Sequence, residues 1–155
     1  MREIKFNVHD NGKIYNVRAI VWYAGQIANI EIFDPEAPGG TRLICGNADN
    51  LMQYIGLKDS AGVEIYENDI VKLINTIYTD CTRTEIEKVT EFTGIVQMWQ
   101  NCWCLIRPTA NKGRKIQSLF CYNLKDSPEQ PDSGTFEKLG NVYDNPELLE
   151  EGKGC

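Results

Sequence analysis

His9 is the one histidine in this 155-residue chain, so a Cys–His or Ser–His nucleophilic pair would have to be built on it. It stands in "VHDNG", beside a turn, where a polar residue closing a strand explains it without catalysis. Glu85, Glu87 and Glu91 alternate along one run. Acid–base chemistry wants carboxylates in a dry cleft with separated pKa values, whereas alternation of this kind places them on a solvated strand face. Gly39–Gly40 lacks the Lys and Ser/Thr that a phosphate-cradling loop needs. Cys102 and Cys104 point to one face of a strand, which makes a vicinal dithiol or a metal conceivable, but no paired C-x-x-C spacing is present. Free cysteines otherwise behave as small buried hydrophobes. No enzyme, metal or cofactor is expected.

The other group of residues with chemical character is cationic and aromatic. Residues 92–124 contain no acid, four bases (Arg107, Lys112, Arg114 and Lys115) and the aromatics Phe92, Trp99, Trp103, Phe120 and Tyr122. Stacking platforms with cations between them are what single-stranded nucleic acid requires. The plain alternative is that bulky aromatics fill the interior of a small barrel. The chain as a whole is acidic, with a net charge of −6 and eight acids against three bases in residues 125–155. That argues against nonspecific duplex binding, which rests on many phosphate contacts.

Composition places these residues in an ordinary globular protein, with 42% hydrophobic and 25% charged residues. No apolar run approaches the length that spans a bilayer, and "MREIKFNVHD" has no apolar signal region, so a cytoplasmic location is expected. In that compartment the six cysteines are expected to stay reduced.

Strands must position whatever site exists. "REIKFNV" alternates, "DNG" is a turn, and "KIYNVRAIVWY" reads as the returning strand of a hairpin. "QIANIEIF" is a third alternating run, and "DPEAPGGT" is a loop. "LMQYIGL" is a short strand that runs into two turn clusters, "KDSAG" and "YEND". In these Asp59 caps its own backbone, Gly62 accepts positive φ, and Asn68 suits a left-handed position. The β-branched run "DIVKLINTIY" follows, its register fixed by the turn before it. "EIEKVTEF" alternates with an irregularity between Ile86 and Val89, and Gly94 marks a bend or bulge. "IVQMWQNCWCLIR" is a hairpin around "QN", flanked by Trp99 and Trp103. "IQSLFCYNL" and "FEKLGNVYD" are further strands, and "NPELLEE" is one helical turn with Asn145 at its N-cap and Pro146 at its first position. Many short strands between turns predict a mainly β barrel or roll. One domain, 1–155, is expected, with N-terminal strands in 1–50, the barrel core in 51–124, and an acidic tail carrying the last strand and the helical turn in 125–155.

"MREIKF", "LMQYIGLKDSAGVEIYENDIVKL" and "GNVYDNPELLE" together resemble the YopX-like proteins of phages and prophages, whose biochemical role is not established. The resemblance implies an SH3-like β-barrel or roll and a phage or prophage source. It marks Gly56, Asp59, Gly62, Tyr66, Asn68, Asp69, Gly140, Asn145 and Pro146 as structural positions, with no catalytic residue to carry over. The family's first strand commonly continues Arg-x-Trp-Asp. Here "NVHD" puts Asn7 and His9 at those positions, and "END" replaces the family's "EGD" turn. The function expected is a non-enzymatic protein-interaction module in the bacterial cytoplasm, with a host or phage protein partner or a homo-oligomer. The alternative is a single-strand-binding barrel that uses Trp99, Trp103, Arg107, Lys112, Arg114 and Lys115.

Overall fold

Left-handed turn residues delimit the first strands. Asn11 and Gly12 at φ of 50° and 77° form a two-residue connection between β1 (Phe6–Asp10) and β2 (Lys13–Tyr23). Ala24 and Gly25 at 48° and 79° do the same between β2 and β3 (Gln26–Phe33). Positive φ at both central residues matches the twist of the flanking strands, so such pairs make tight hairpins. A computed structural model of the chain describes residues 3–45, 49–79, 82, 84–109, 113–119 and 134–149. The chain divides into two units, Met1–Tyr54 and Ile55–Cys155.

In the first unit the antiparallel order is β4-β3-β2-β1-β5, where β4 is Thr41–Cys45 and β5 is Leu51–Lys58. Val8, Ile30 and Ile32 form its buried centre, with Tyr15, Val17, Ile27, Ile44 and Leu51 packed around them. The loop read from "DPEAPGGT" contains a single 3-10 turn, Pro38–Gly40. Arg42 anchors this end of the sheet. Its Nη2 donates to Asp10 at 2.9 Å and its Nε donates to Asp34 at 3.0 Å, while the guanidinium lies 5.4 Å from the Tyr15 ring centre. The hydrogen bond from Arg42 holds the Asp34 carboxyl below the ordinary carboxylate value.

The second unit takes up β5 in mid-strand and sets β6 (Glu64–Tyr66) beside it. Its main sheet runs β10-β9-β8-β7-β11, formed from β7 (Asp69–Tyr78), β8 (Ile86–Trp99), β9 (Cys102–Pro108), β10 (Arg114–Ser118) and β11 (Thr135–Asn141). Ile55, Ile65, Val71, Leu73, Val96, Leu105, Leu119 and Phe136 make its core, with Leu57, Phe92 and Trp103 packed against it. The mainly β expectation holds, but the described strands form antiparallel sheets and no closed barrel. Strands β4, β6, β10 and β11 end the two sheets, so among the described residues no strand pairing closes either sheet on itself. The C-terminal segment forms a 3-10 turn, Pro146–Leu149. The strand read from "FEKLGNVYD" pairs with β7 of its own sheet.

One local expectation is corrected. Gly94 sits inside the 14-residue β8, paired with Val71 in unbroken register, so it is not a bulge. A Cβ there would lie 3.1 Å from the backbone N and O of Ile106, so close approach of the neighbouring strand is a reason for glycine at this position. The irregularity read between Ile86 and Val89 is present, as a register shift where Tyr78 pairs with Ile86. Because the obstacle to a methyl group at Gly94 is main chain, it cannot rotate away. Gly94→Ala is expected to lower stability by about 1–3 kcal/mol, read as a lower urea midpoint with an unchanged slope.

Candidate functional site

The two turn clusters and the last strand fasten to one another. Asp59 Oδ1 accepts the backbone N–H of Ala61 at 2.9 Å and of Val63 at 2.8 Å, which closes the first turn, with Gly62 at φ 83° inside it. The other oxygen of the same carboxylate accepts the N–H of Lys138 on β11 at 3.2 Å. Ser60 N–H donates to Phe136 O at 2.9 Å on that strand. In the second turn Asn68 takes φ 66°, the left-handed position its sequence anticipates. Its N–H donates to Val96 O at 2.9 Å, its carbonyl accepts Val142 N–H at 3.0 Å, and its side-chain amide reaches Tyr143 Oη at 3.2 Å.

Asp69, which ends the second turn and begins β7, has no exposed surface. Its Oδ2 accepts Tyr66 N–H at 2.7 Å and stands 2.8 Å from Lys138 Nζ, while Oδ1 is buried with no hydrogen-bond partner. The ammonium of Lys138 also reaches Glu64 O at 3.4 Å and lies 5.8 Å from the Tyr66 ring centre. Burial raises the Asp69 carboxyl above its ordinary value, and Lys138 and the Tyr66 N–H oppose that rise without cancelling it. The stability Asp69 contributes is therefore fully present below its unfolded value, near pH 3.8, and is lost as pH rises through its folded value. Asp59 has the opposite sign. Burial pushes its carboxyl up, but three backbone donors outweigh that and hold it below 3.8, so its contribution is lost as pH falls.

The turn that follows β11 completes the clasp. Asn141 Oδ1 accepts the N–H groups of Tyr143 and Asp144, each at 2.9 Å, and its amide donates to Asp144 Oδ2 at 2.8 Å. A Cβ on Gly140 would run into the Asn145 side chain. Asp59, Gly62, Tyr66, Asn68, Asp69, Gly140 and Asn145 are thus brought into one clasp, with Pro146 opening the 3-10 turn just beyond it, whereas Gly56 is an exposed residue of β5 at φ 87°. Lys138 was not singled out from the sequence. Its signal is a lone cation on "FEKLG" at the inward position two after Phe136, itself 5% exposed.

The basic and aromatic window is divided. Trp99 pairs with Cys102 and Trp103 pairs with Met98, so the two tryptophans occupy opposite faces of the sheet. Trp103 packs on the core. Trp99 carries the Arg114 guanidinium 4.9 Å from its ring centre, beside a cleft of about 410 Å³ lined by Ile95, Gln97, Ile106, Pro108, Thr109 and Gly113. Arg107 and Lys115 are direct cross-strand partners, two cations side by side on the Trp103 face. Lys112, Phe120 and Tyr122 lie outside the described residues. Cys104 is buried and Cys102 exposed; burial pushes the Cys104 thiol up, the wrong direction for a reactive thiolate.

A surface missed in the sequence lies on the first unit. Strand β1 pairs with β2 only as far as Asn16, and β4 pairs with β3 only from Asn29 to Phe33. Among the described residues, 18–28 are therefore a two-stranded arm whose strands have only each other. Val21, Trp22 and Tyr23 on it are 48%, 63% and 78% exposed. The signal was available in "AIVWYAG", an uncharged run that ends on two aromatics at a turn.

Removing one member of a buried pair leaves the other desolvated and alone, which costs several kcal/mol. Lys138→Met is expected to destabilise by about 3 kcal/mol, the low end of that range because the lysine side chain is 23% exposed. Adding Asp69→Asn, which keeps an acceptor for Tyr66 N–H, is expected to restore part of the loss in chemical denaturation.

No curated protein matches the chain. Among solved structures it is similar to protein EF1440 from Enterococcus faecalis, with 19% identity, a TM-score of 0.44, and coverage of 97% of this chain and 100% of that one. The family comparison is the informative one: the YopX protein family matches residues 8–150, a span that holds the clasp and the arm alike. The chain belongs to the YopX protein family.

Proposed function

We propose that this YopX-family chain is a phage- or prophage-encoded, non-enzymatic protein-interaction module that acts in the cytoplasm of a bacterial host. The observation that carries the proposal is the β2–β3 arm, where Val21, Trp22 and Tyr23 sit exposed on a hairpin whose outer edges have no strand beside them among the described residues. Aromatic residues are enriched at protein interfaces, and a free strand edge gains affinity by adding a strand from a partner. The clasp residues are occupied in holding turns, which supports a scaffold reading of Asp59, Asp69 and Lys138 over a catalytic one. A photo-crosslinking side chain at position 23, in cells that produce the protein, is expected to give discrete protein adducts. The same group at exposed Lys88 serves as the background. Equal labelling at the two positions would overturn the proposal.

A second reading has its own observation. Arg114 stacked on Trp99 beside an open cleft pairs a cation with a ring, while Arg107 and Lys115, on the opposite face of the same strands, form no ion pair among the described residues. That arrangement suits a single-stranded nucleic acid held by a short contact, because the window does not supply one continuous aromatic strip. On this reading labelled single strands bind at low salt, binding weakens steeply as salt rises, and Trp99→Ala or Arg114→Ala reduces affinity by about tenfold, as loss of about one stacking contact would. Titrations unchanged by both substitutions would remove this reading.

A further inference from the structure

The outer edge of β2 is an unguarded strand edge. From Arg18 to Tyr23 no described strand lies against it, although the main-chain donors and acceptors on that side of an extended strand need partners. Natural edges are usually blunted by charge, proline or bulges. Here Ala19–Tyr23 contains neither charge nor proline. Of its two register shifts against β3, one lies at its base between Val17 and Ala19, and the other, between Val21 and Trp22, takes its extra residue, Ala28, from β3 and leaves the β2 run unbroken. Arg18, the nearest charge, is already held by Glu31 at 2.7 Å.

We propose that this edge is covered by the same edge of a second copy, β2 pairing antiparallel with β2 across a two-fold axis at Val21. The proposal rests on the interaction reading above and names the partner. Three features select a second copy over an unrelated strand. An antiparallel pairing of identical edges is self-complementary by symmetry, so one patch serves both sides. Centring on Val21 also sets large residues against small or aliphatic ones. Ile20 then lies opposite Trp22 of the partner subunit, Ala19 opposite Tyr23 of the partner subunit, and Val21 meets its own copy at the axis. Aromatic–aliphatic cross-strand pairs of this kind are favourable. Finally, a chain of net charge −6 carries a net repulsion toward its copy, whereas the five paired residues carry no charge at all. Arg18 falls beyond them, opposite the Ala24 turn of the partner subunit, where it meets no cation.

Sedimentation equilibrium of the full chain over a concentration series tests this directly. Wild type is expected to show a concentration-dependent dimer. Val21→Lys, which places two ammonium groups together at the axis, is expected to weaken the dimer by about tenfold or more. Leu43→Lys, on the exposed face of β4, is expected to leave it intact. A wild-type chain that stays monomeric at every concentration overturns the proposal, and so does a dimer indifferent to Val21→Lys. Should Val21→Lys not fold, hydrogen exchange on wild type decides. Amides of residues 18–23 are expected to slow as concentration rises, and concentration-independent exchange there overturns the pairing. If wild type is monomeric while position 23 crosslinks to a different protein, the second-copy proposal falls and the interaction reading stands. If no adduct forms, both fall.

Discussion

A carboxylate with no exposed surface, Asp69, is the point from which the second unit is organised. Taking it out of water is costly, and the structure meets that cost with one backbone N–H and one ammonium, both on the same oxygen. Each of those donors fixes something larger. The Tyr66 N–H sets the turn that starts β7, and Lys138 draws β11 against β7 at that turn. A register slip of one residue on either strand would leave Asp69 buried without a partner, so the ion pair specifies alignment more than it adds stability. The carboxyl is still held above its ordinary value, which shows that the two donors do not fully offset burial.

Asp59 solves a similar problem at the neighbouring turn by a different route. Its two oxygens divide their work, Oδ1 closing its own loop and Oδ2 reaching the N–H of Lys138. One residue of β11 is therefore gripped twice, at its backbone by Asp59 and at its side chain by Asp69. The register shift in β11 falls between Lys138 and Gly140, immediately after the doubly held residue. The bulge takes up one residue, Leu139, and pairing resumes at Gly140–Ile70 and Asn141–Asp69 before the chain folds back as the Asn141 turn. In the first unit Arg42 plays the corresponding part with two carboxylates and one ring, closing a loop at a sheet end rather than seating a strand.

Short-range signals were the legible part of the sequence. "DNG" and "QN" predict turns and Asn68 a left-handed position, and all three are present, with Asn11, Gly12, Asn68, Gln100 and Asn101 at positive φ, because such signals belong to a few adjacent residues. Alternation locates the strands for the same reason. What could not be read was anything that depends on which strand becomes a neighbour. Gly94 reads as a bend or bulge because nothing local reveals the Ile106 backbone beside it. The barrel expectation fails in the same way, since closure is a pairing between distant edges. The two tryptophans are a different case: a two-residue turn at Gln100–Asn101 forces Trp99 onto Cys102 and Trp103 onto Met98, so their opposite faces followed from the turn already identified.

The motifs by which the family is recognised explain why its membership does not name a partner. "KDSAG", "YEND" and "GNVYDNPELLE" carry the clasp, and Asp59, Asn68, Asp69 and Asn141 in them each bond to a turn or to the neighbouring strand. Sequence features that must be present for a strand to seat will be shared by relatives whatever they bind. Residues free to carry a particular partner's chemistry have to lie elsewhere, where substitution costs the fold little. The arm offers such positions in Val21, Trp22 and Tyr23, which are exposed, whereas Ile27 packs on the core of the first unit. Clasp and arm therefore do different work in the fold: the first holds two turns and a strand in register through the ion pair at Asp69, and the second leaves Val21, Trp22 and Tyr23 exposed.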